Sequence, residues 1–356
     1  MAHDGGIGTY LQNLVPRIAV LRPAWRITAL GEPHALHALG WHAHPNLQIV
    51  RQRSPIFSLR EQLSLPSDIG ATTDLYWSPY YNVGLLTRRP MVVTIHDVNH
   101  LALPELLGGV VRRTYARLLL TSATRRARRV LFDSEFTRRE TERLLGGVGE
   151  RGTVVHLGVS EDWLTARDAS PQRPMPEPYF LYLGNVKRHK NVPLLLRAFG
   201  RVAAELPRHR IVLIGRREGL RADPEMARAL QPLGDRALYL GELDRRIVQQ
   251  YVVHADALVT ASMYEGFGLP PLEAMTAGCP CVVSDAGSLP EVCGDAALYC
   301  DPRDERSVAD ALLRIARDDA LRASLVRRGY ERAARFSWDR AARDTVAQLD
   351  AALAGR

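Results

Sequence analysis

Lysine is almost absent from this chain: of its 47 basic residues only Lys187 and Lys190 are lysines, and every other cationic position is arginine. Cysteine is scarce as well. Cys279, Cys281, Cys293 and Cys300 crowd one short region without C-x-x-C spacing or clustered histidines, which argues against a zinc site and for small buried thiols in a reducing compartment. No run of about 18 or more apolar residues occurs, and the start lacks the basic-then-apolar layout of a secretory signal. The chain is therefore expected in the cytoplasm, or held at the inner face of the plasma membrane by surface contact alone. No D-x-D triple offers a carboxylate pair to a metal ion. The formal charge of +8 invites a nucleic-acid reading, but the arginines are scattered and not interleaved with aromatics as on a base-stacking surface, so no nucleic-acid partner is expected.

What is present is enough for two domains: 356 residues with 46% hydrophobic content can bury two cores of ordinary size. Short apolar runs, "MVVTIHD", "RRVLFDS", "GTVVHLG", "YFLYLG", "HRIVLIG", "RALYLG", "DALVTAS" and "CPCVVSD", read as buried strands, and many segments between them have helical period. Strands alternating with helices predict an α/β protein with parallel sheets covered on both faces. Proline, serine and charge replace any period over Leu164–Pro178, which marks a boundary between a first domain, 1–165, and a second, 166–338. The last amphipathic segment, Trp338–Gly355, does not reveal from its sequence which domain it packs on.

The N-terminus opens with a glycine turn, Gly5-Gly6-Ile7-Gly8, that runs into a helix. In a doubly wound sheet such a turn follows the first, central strand, yet only Met1–Asp4 precede it, so the first domain is expected to lack that strand, through a start assigned too far downstream. Further on, Val110–Phe132 carries Arg112, Arg113, Arg117, Arg125, Arg126, Arg128 and Arg129 around Tyr115, Leu118, Leu119 and Ser122, which recur at helical spacing. It reads either as a solvated helix face or as a peripheral contact with anionic headgroups.

The densest concentration of signals is "MYEGFGLPPLEAMTAGCPCVVS". The strand before it ends near Ser262, and Pro270-Pro271 suit the first turn of a helix. The loop Tyr264–Leu269 thus lies at the carboxyl end of a parallel strand, where open α/β sheets bind ligands. Gly266 and Gly268 let backbone approach a ligand, and the following helix start suits a phosphate. Glu273, placed in that helix's first turn, is suited to a ribose diol, and Glu265 to a group beyond the phosphates. The plainer alternative is that Glu273 complements the helix dipole and Glu265 is solvated. A second strand–glycine–helix unit, "YLGNVKRHKNVPLLLRAF", holds both lysines, and a position that keeps lysine in an arginine-biased chain suggests a need for a compact, flexible point charge at Lys190. His96, in "VVTIHDVNH", is expected at a strand end facing the cleft between the domains.

These motifs, with "SPYYN", "FDSEFTRRE", "VVHLGVSEDW", the E-x7-E pair followed by "GSLPEV", and the terminal "RFSWDRAA", resemble the family 4 (group 1) retaining glycosyltransferases of the GT-B fold over nearly the whole chain. The resemblance implies two Rossmann-like domains across a cleft, an acceptor domain and a nucleotide-sugar domain, with a last helix, 339–356, crossing back to the first. It implies that Glu265 contacts the transferred sugar and Glu273 the ribose hydroxyls, and that Lys190 neutralises the diphosphate with the backbone N–H groups of Gly266, Phe267, Gly268 and Leu269. Gly5 and Gly6 would serve phosphates and acceptor, and His96 the donor sugar near its reacting carbon. Asn185 departs from the pattern, standing where many relatives carry arginine, which shifts the charge load to Lys190 with Arg188 or His189.

The reaction so implied transfers a sugar with retention and needs neither metal nor other cofactor. Lys190 and a helix start meet the charge of the leaving diphosphate, and a departing phosphate oxygen takes the acceptor proton. "GNVKRHKN" is similar to segments of mannosyltransferases of bacterial surface polysaccharides, favouring a GDP-mannose-like donor and a saccharide or lipid-linked acceptor. Two other readings remain open: another enzyme on this scaffold, an epimerase or phosphorylase, or a non-catalytic nucleotide-sugar-binding subunit.

Overall fold

The structure, a computed structural model, describes residues 5–52, 54, 58–107, 109–170, 172–216 and 224–355. The chain divides into two compact units, Met1–Gly158 with Ser337–Arg356 and Val159–Phe336. In both, every strand pairing among the described residues is parallel.

In the first unit β1 (Ile27–Gly31) pairs with β2 (Leu47–Arg51), while β3 (Tyr76–Ser78), β4 (Met91–Ile95), β5 (Arg129–Phe132) and β6 (Gly152–Val154) form a four-stranded sheet in sequential order. β4 is buried at every position, which is why its sequence is apolar but for Thr94, whose hydroxyl meets Tyr10 and Trp77, rather than alternating. Of the glycines expected as a turn, Gly6 and Gly8 lie inside the helix Gly5–Leu21, and Gly5 opens it with a left-handed φ of +61°. The buried stripe Gly8, Leu11, Leu14, Val15 and Ile18 carries the helical period back to this point, and the first N–H groups of a helix have no partner in the helix to lose. Met1–Asp4, on which the reading of the first strand turned, lie outside the described residues.

The terminal helix Trp338–Ala354 belongs to this same unit. Ser337 caps it by accepting the Asp339 N–H, and Trp338, Ala341, Ala342, Thr345, Val346, Leu349 and Ala352 form its buried stripe. Arg17 pairs with Asp339 at 2.7 Å, and Arg128 donates to the Ala352 carbonyl at 2.7 Å. The basic helix runs Val110–Arg126, but its inward face is Ala116, Leu119, Leu120, Ala123 and Thr124. Leu118, expected inside, is exposed: the buried row follows the 116/119/120/123 ridge, which places residue 118 on the other side of the helix. The side chain of Arg112 lies outside the described residues.

The second unit holds a six-stranded sheet of β7 (Tyr179–Leu183), β8 (Arg210–Ile214), β9 (Ala237–Gly241), β10 (Ala257–Thr260), β11 (Cys281–Ser284) and β12 (Ala297–Cys300), in the order β12-β11-β10-β7-β8-β9. Strand order therefore reverses between β7 and β10, and the carboxyl ends at such a reversal are where open α/β sheets bind ligands. The helix Val192–Val202 shows why the sequence folds so: Val192, Leu195, Leu196, Phe199 and Val202 turn inward, with Phe199 edge-on to Phe180 of β7 at 6.2 Å, while Arg197 points outward to Glu305 at 3.0 Å. The division between units falls after Gly158, ahead of the Leu164–Pro178 stretch, because Trp163 is already buried in the second unit and Asp162 is paired with Arg245 there. All four cysteines are buried free thiols, and burial pushes Cys279 up to about 12, which leaves it little thiolate character at neutral pH.

Candidate active site

Lys190 and Glu265 meet at the reversal point. Lys190 closes the short 3-10 turn Arg188–Lys190 after β7, and Glu265 follows β10. Lys190 Nζ lies 2.6 Å from both Glu265 carboxylate oxygens, and Ser262 Oγ donates to Oε1 at 2.7 Å. The pair is largely buried, the side chains being 21% and 12% exposed. Burial alone would push the Glu265 carboxyl up, but the Lys190 ammonium, its hydrogen bonds, Ser262 and the nearby His189 together hold it below its ordinary value. It is a charged carboxylate at neutral pH, neither solvated nor apolar.

The backbone is built to hold this contact. Asn191, directly after Lys190, has a φ of +56°, a left-handed conformation that asparagine tolerates better than most residues. Its side chain donates to the Pro302 carbonyl at 2.7 Å. Met263 N–H donates to the His189 carbonyl at 2.8 Å, tying the lysine turn to the glutamate loop. Below them lies the "GSLPEV" element. Ser288 donates from its N–H to the Glu265 carbonyl at 3.1 Å and from Oγ to the Phe267 carbonyl at 2.7 Å. Gly287 has a φ of +67°, and a Cβ there would stand 2.6 Å from the Glu265 amide nitrogen and 2.8 Å from its carbonyl oxygen. Only glycine lets the two loops approach so closely.

The loop Gly266–Leu269 leads into the helix Leu269–Thr276 through Gly268 at φ +104°, with prolines in the first turn as the sequence predicts. Phe267 turns its ring into the core against Phe336, 5.8 Å away, so it can serve a ligand only through its backbone. Glu273 is the fifth residue of this helix, in its second turn rather than its first, because the helix opens at Leu269. Burial pushes its carboxyl up to about 7, opposed by the charge of Arg245. Arg245 itself is engaged bidentately by Asp162, with Nη2–Oδ1 at 2.8 Å. Asn185 lies in the loop after β7, where its side-chain oxygen accepts the Arg216 N–H at 3.4 Å. Of its neighbours, Arg188 is exposed and His189 buried.

In the first unit, Ile95 of β4 and Phe132 of β5 are register partners, so the next residues, His96 and Asp133, leave adjacent strand ends side by side. His96 Nδ1 is 2.6 Å from Asp133 Oδ2, and Nε2 is 2.9 Å from the Pro79 carbonyl, just beyond β3. Thr137 Oγ1 donates to the His96 carbonyl at 3.2 Å, and Tyr10 packs edge-on to the ring at 4.8 Å. A Cβ at Gly5 or Gly6 would meet nothing within 4 Å.

Sequence reasoning missed Ser262, Ser288, Arg245 and Asp133. Ser288 and Asp133 sit inside conspicuous motifs, "GSLPEV" and "FDSEFT". Ser262 and Arg245 carried no signal beyond their places at a strand end and a helix start.

Comparison with known proteins identifies the family. The family described as "Glycosyl transferases group 1" matches residues 165–332. O-antigen chain mannosyltransferase B of Escherichia coli is 32% identical over 268 residues, covering 72% of this chain and 68% of that one. O-antigen chain mannosyltransferase RfbU of Salmonella typhimurium is 28% identical, covering 68% of this chain and 64% of the relative. Among solved structures, sucrose-phosphate synthase of Thermosynechococcus elongatus superposes with a TM-score of 0.77 at 21% identity, over 99% of this chain and 94% of that one. HepE of Anabaena in complex with UDP and glucose gives 0.77 at 19% identity, over 98% and 97%. The fold is thus the α/β GT-B fold, and the chain belongs to the group 1 glycosyltransferases.

Proposed function

We propose that this chain is a retaining, metal-independent glycosyltransferase that moves a hexose, favoured to be mannose from GDP-mannose, to a saccharide or lipid-linked saccharide in surface-polysaccharide synthesis. The observation that carries this reading is the Lys190–Glu265 pair at the β7/β10 reversal. An ammonium on a flexible stem suits a diphosphate, and the carboxylate it leaves behind suits sugar hydroxyls.

In this reading the first unit is the acceptor domain and the second the nucleotide-sugar domain. Lys190 and the backbone N–H groups of Gly266–Leu269 take the charge of the departing diphosphate, Glu265 holds the transferred sugar, and Glu273, in its ionised form, accepts from the ribose diol. Asn185 lies along the diphosphate, Gly5 and Gly6 line the acceptor side, and His96 contacts the donor sugar. The acceptor hydroxyl attacks from the face the diphosphate leaves, forming the new C–O bond as the old one breaks, and passes its proton to the released phosphate oxygen. The names of the two O-antigen mannosyltransferases support the choice of mannose and of a polysaccharide product. The exposed face of the helix Val110–Arg126, where Val110, Val111 and Leu118 stand beside Arg113, Arg117 and Arg125, suits a contact with an anionic membrane surface.

Calorimetric titration of the chain with GDP, UDP and ADP, each with EDTA present, tests the reading. Binding of GDP without metal is expected, followed by transfer from GDP-mannose with the anomeric configuration kept. Glu273→Ala should cost nucleotide binding about 1–3 kcal/mol, whereas Glu265→Ala should lower turnover more than affinity. An inverted anomer, or binding that needs a divalent ion, would overturn the mechanism.

A further inference from the structure

Three adjacent strand ends converge on one imidazole. β3 supplies the Pro79 carbonyl, β4 supplies His96, and β5 supplies Asp133. A backbone carbonyl can only accept, so Nε2 must carry a proton to make its 2.9 Å contact. Nδ1 faces a carboxylate oxygen at 2.6 Å, a separation at which a lone pair on nitrogen would be repelled and an N–H is held strongly. With Asp133 ionised both nitrogens are donors, and the ring and Asp133, with side chains only 12% and 5% exposed, make an ion pair.

We propose that Asp133 is a positioning residue that fixes His96 as a doubly protonated imidazolium, so that His96 acts in the reaction as a permanent N–H donor to an oxygen of the donor sugar and never as a base. The inference rests on the proposed function for what the ring touches, but not for its protonation. The surroundings agree. Burial disfavours the charged ring, yet Asp133, the Pro79 carbonyl and Asp97 outweigh it and raise its affinity for the proton. The remaining faces are uncharged: Tyr10 meets the ring edge-on and Tyr80 lies nearly parallel to it at 6.2 Å. Thr137, from the helix Glu135–Leu145 that begins two residues after Asp133, holds the His96 backbone carbonyl, so the same β5 corner fixes both main chain and side chain. A substrate hydroxyl replaces the Pro79 carbonyl as acceptor of Nε2–H without any change of protonation. An imidazolium has no lone pair, which leaves the released phosphate oxygen as the acceptor of the proton.

The test is nitrogen-15 NMR of the histidine rings of the full chain from pH 6 to 9, with the His96 signals identified by their loss in His96→Gln. The His96 midpoint is expected above the ordinary 6.5, with both ring nitrogens protonated below it, and Asp133→Asn to lower that midpoint. In turnover, the wild type should show no limb of its own from His96 around pH 6.5, only that of Glu273 near 7, which Asp133→Asn leaves in place. Asp133→Asn should lose more than tenfold in kcat/KM between pH 6 and 8 and recover at the acid end of that range, with Asp133→Glu restoring part of the wild-type profile. A neutral His96 ring at pH 7 in the wild type overturns the proposal, whether or not the variants fold. So does an Asp133→Asn loss that is equal at every pH, which is the mark of a structural role alone. If the chain turns over no nucleotide sugar, the reading of the reaction falls, and the wild-type NMR titration still upholds or overturns the ion pair.

Discussion

Each unit places a buried cation–carboxylate pair just beyond its strand ends, and the two pairs are built differently. In the first unit the cation is a short aromatic ring with both nitrogens engaged, one by Asp133 and one by a backbone carbonyl. In the second it is lysine, four methylenes from its backbone, whose hydrogen bonds go to a single carboxylate. The ring is held at two points on two neighbouring strand ends, whereas the ammonium can swing to a phosphate by rotating about its own side-chain bonds. The difference separates a charge that must stay in place from one that must be handed over.

The largest break in this contrast should come from Lys190→Ala. It leaves Glu265 buried with no cation beside it, and breaking a buried pair from one side costs about 3–5 kcal/mol. Urea unfolding should show that loss, and turnover should fall at least about 100-fold through the loss of one charge stabiliser. Next comes Gly287→Ala, where a methyl group would overlap the Glu265 backbone from a left-handed position. Stability and turnover should both fall, by about 1–3 kcal/mol, with less loss of nucleotide affinity than in Lys190→Ala. A silent Gly287→Ala would show that the glutamate loop is not held by this approach.

The pairs should also fail at opposite ends of the pH scale. Glu265 titrates below its ordinary 4.5 in the folded chain, so its contribution is fully present above that value and is lost as pH falls through the folded one. His96 titrates above its ordinary 6.5, so its contribution is fully present below 6.5 and is lost as pH rises through the folded value. A tenfold difference in proton affinity between the folded and unfolded chain corresponds to about 1.4 kcal/mol. Hydrogen exchange around each pair should therefore speed up in acid near Glu265 and in alkali near His96, and Lys190→Ala should remove only the acid effect. Protection that falls on the same side for both would end the comparison.

How much of this was legible depended on whether chemistry or shape carried the signal. Eight strands, β4 to β11, stood out because each lies in a short, mostly apolar run of the sequence. β1, β2, β3 and β12 were not among them. Lys190 and Glu265 were found from rarity and motif, but their direct contact was not, because 75 residues separate them and only the strand order brings β7 beside β10. The turn of Glu273 was misjudged because helix starts are uncertain by a residue or two. Asp133 was hidden in plain view: nothing in "FDSEFT" says that Phe132 is in register with Ile95.

The smallest effects should come from two hydroxyls, one beside each pair, and they sharpen the contrast most. Ser262→Ala removes a 2.7 Å donor from the Glu265 carboxylate, and Thr137→Val removes a 3.2 Å donor from the His96 carbonyl. Each costs about 1–2 kcal/mol as a lost hydrogen bond. Their consequences for turnover should diverge. Without Ser262, Lys190 keeps a partner whose charge is less well supported, so the Glu265 carboxyl titrates higher and turnover falls severalfold, most steeply at acid pH. Without Thr137, Asp133 and Pro79 still hold the ring at both nitrogens, so stability drops while turnover and its pH profile stay close to wild type. Paired urea unfolding and pH–rate measurements on the two variants decide this. Equal shifts in both profiles would mean that the first pair is as exchangeable as the second, and that its saturated geometry does not fix the ring.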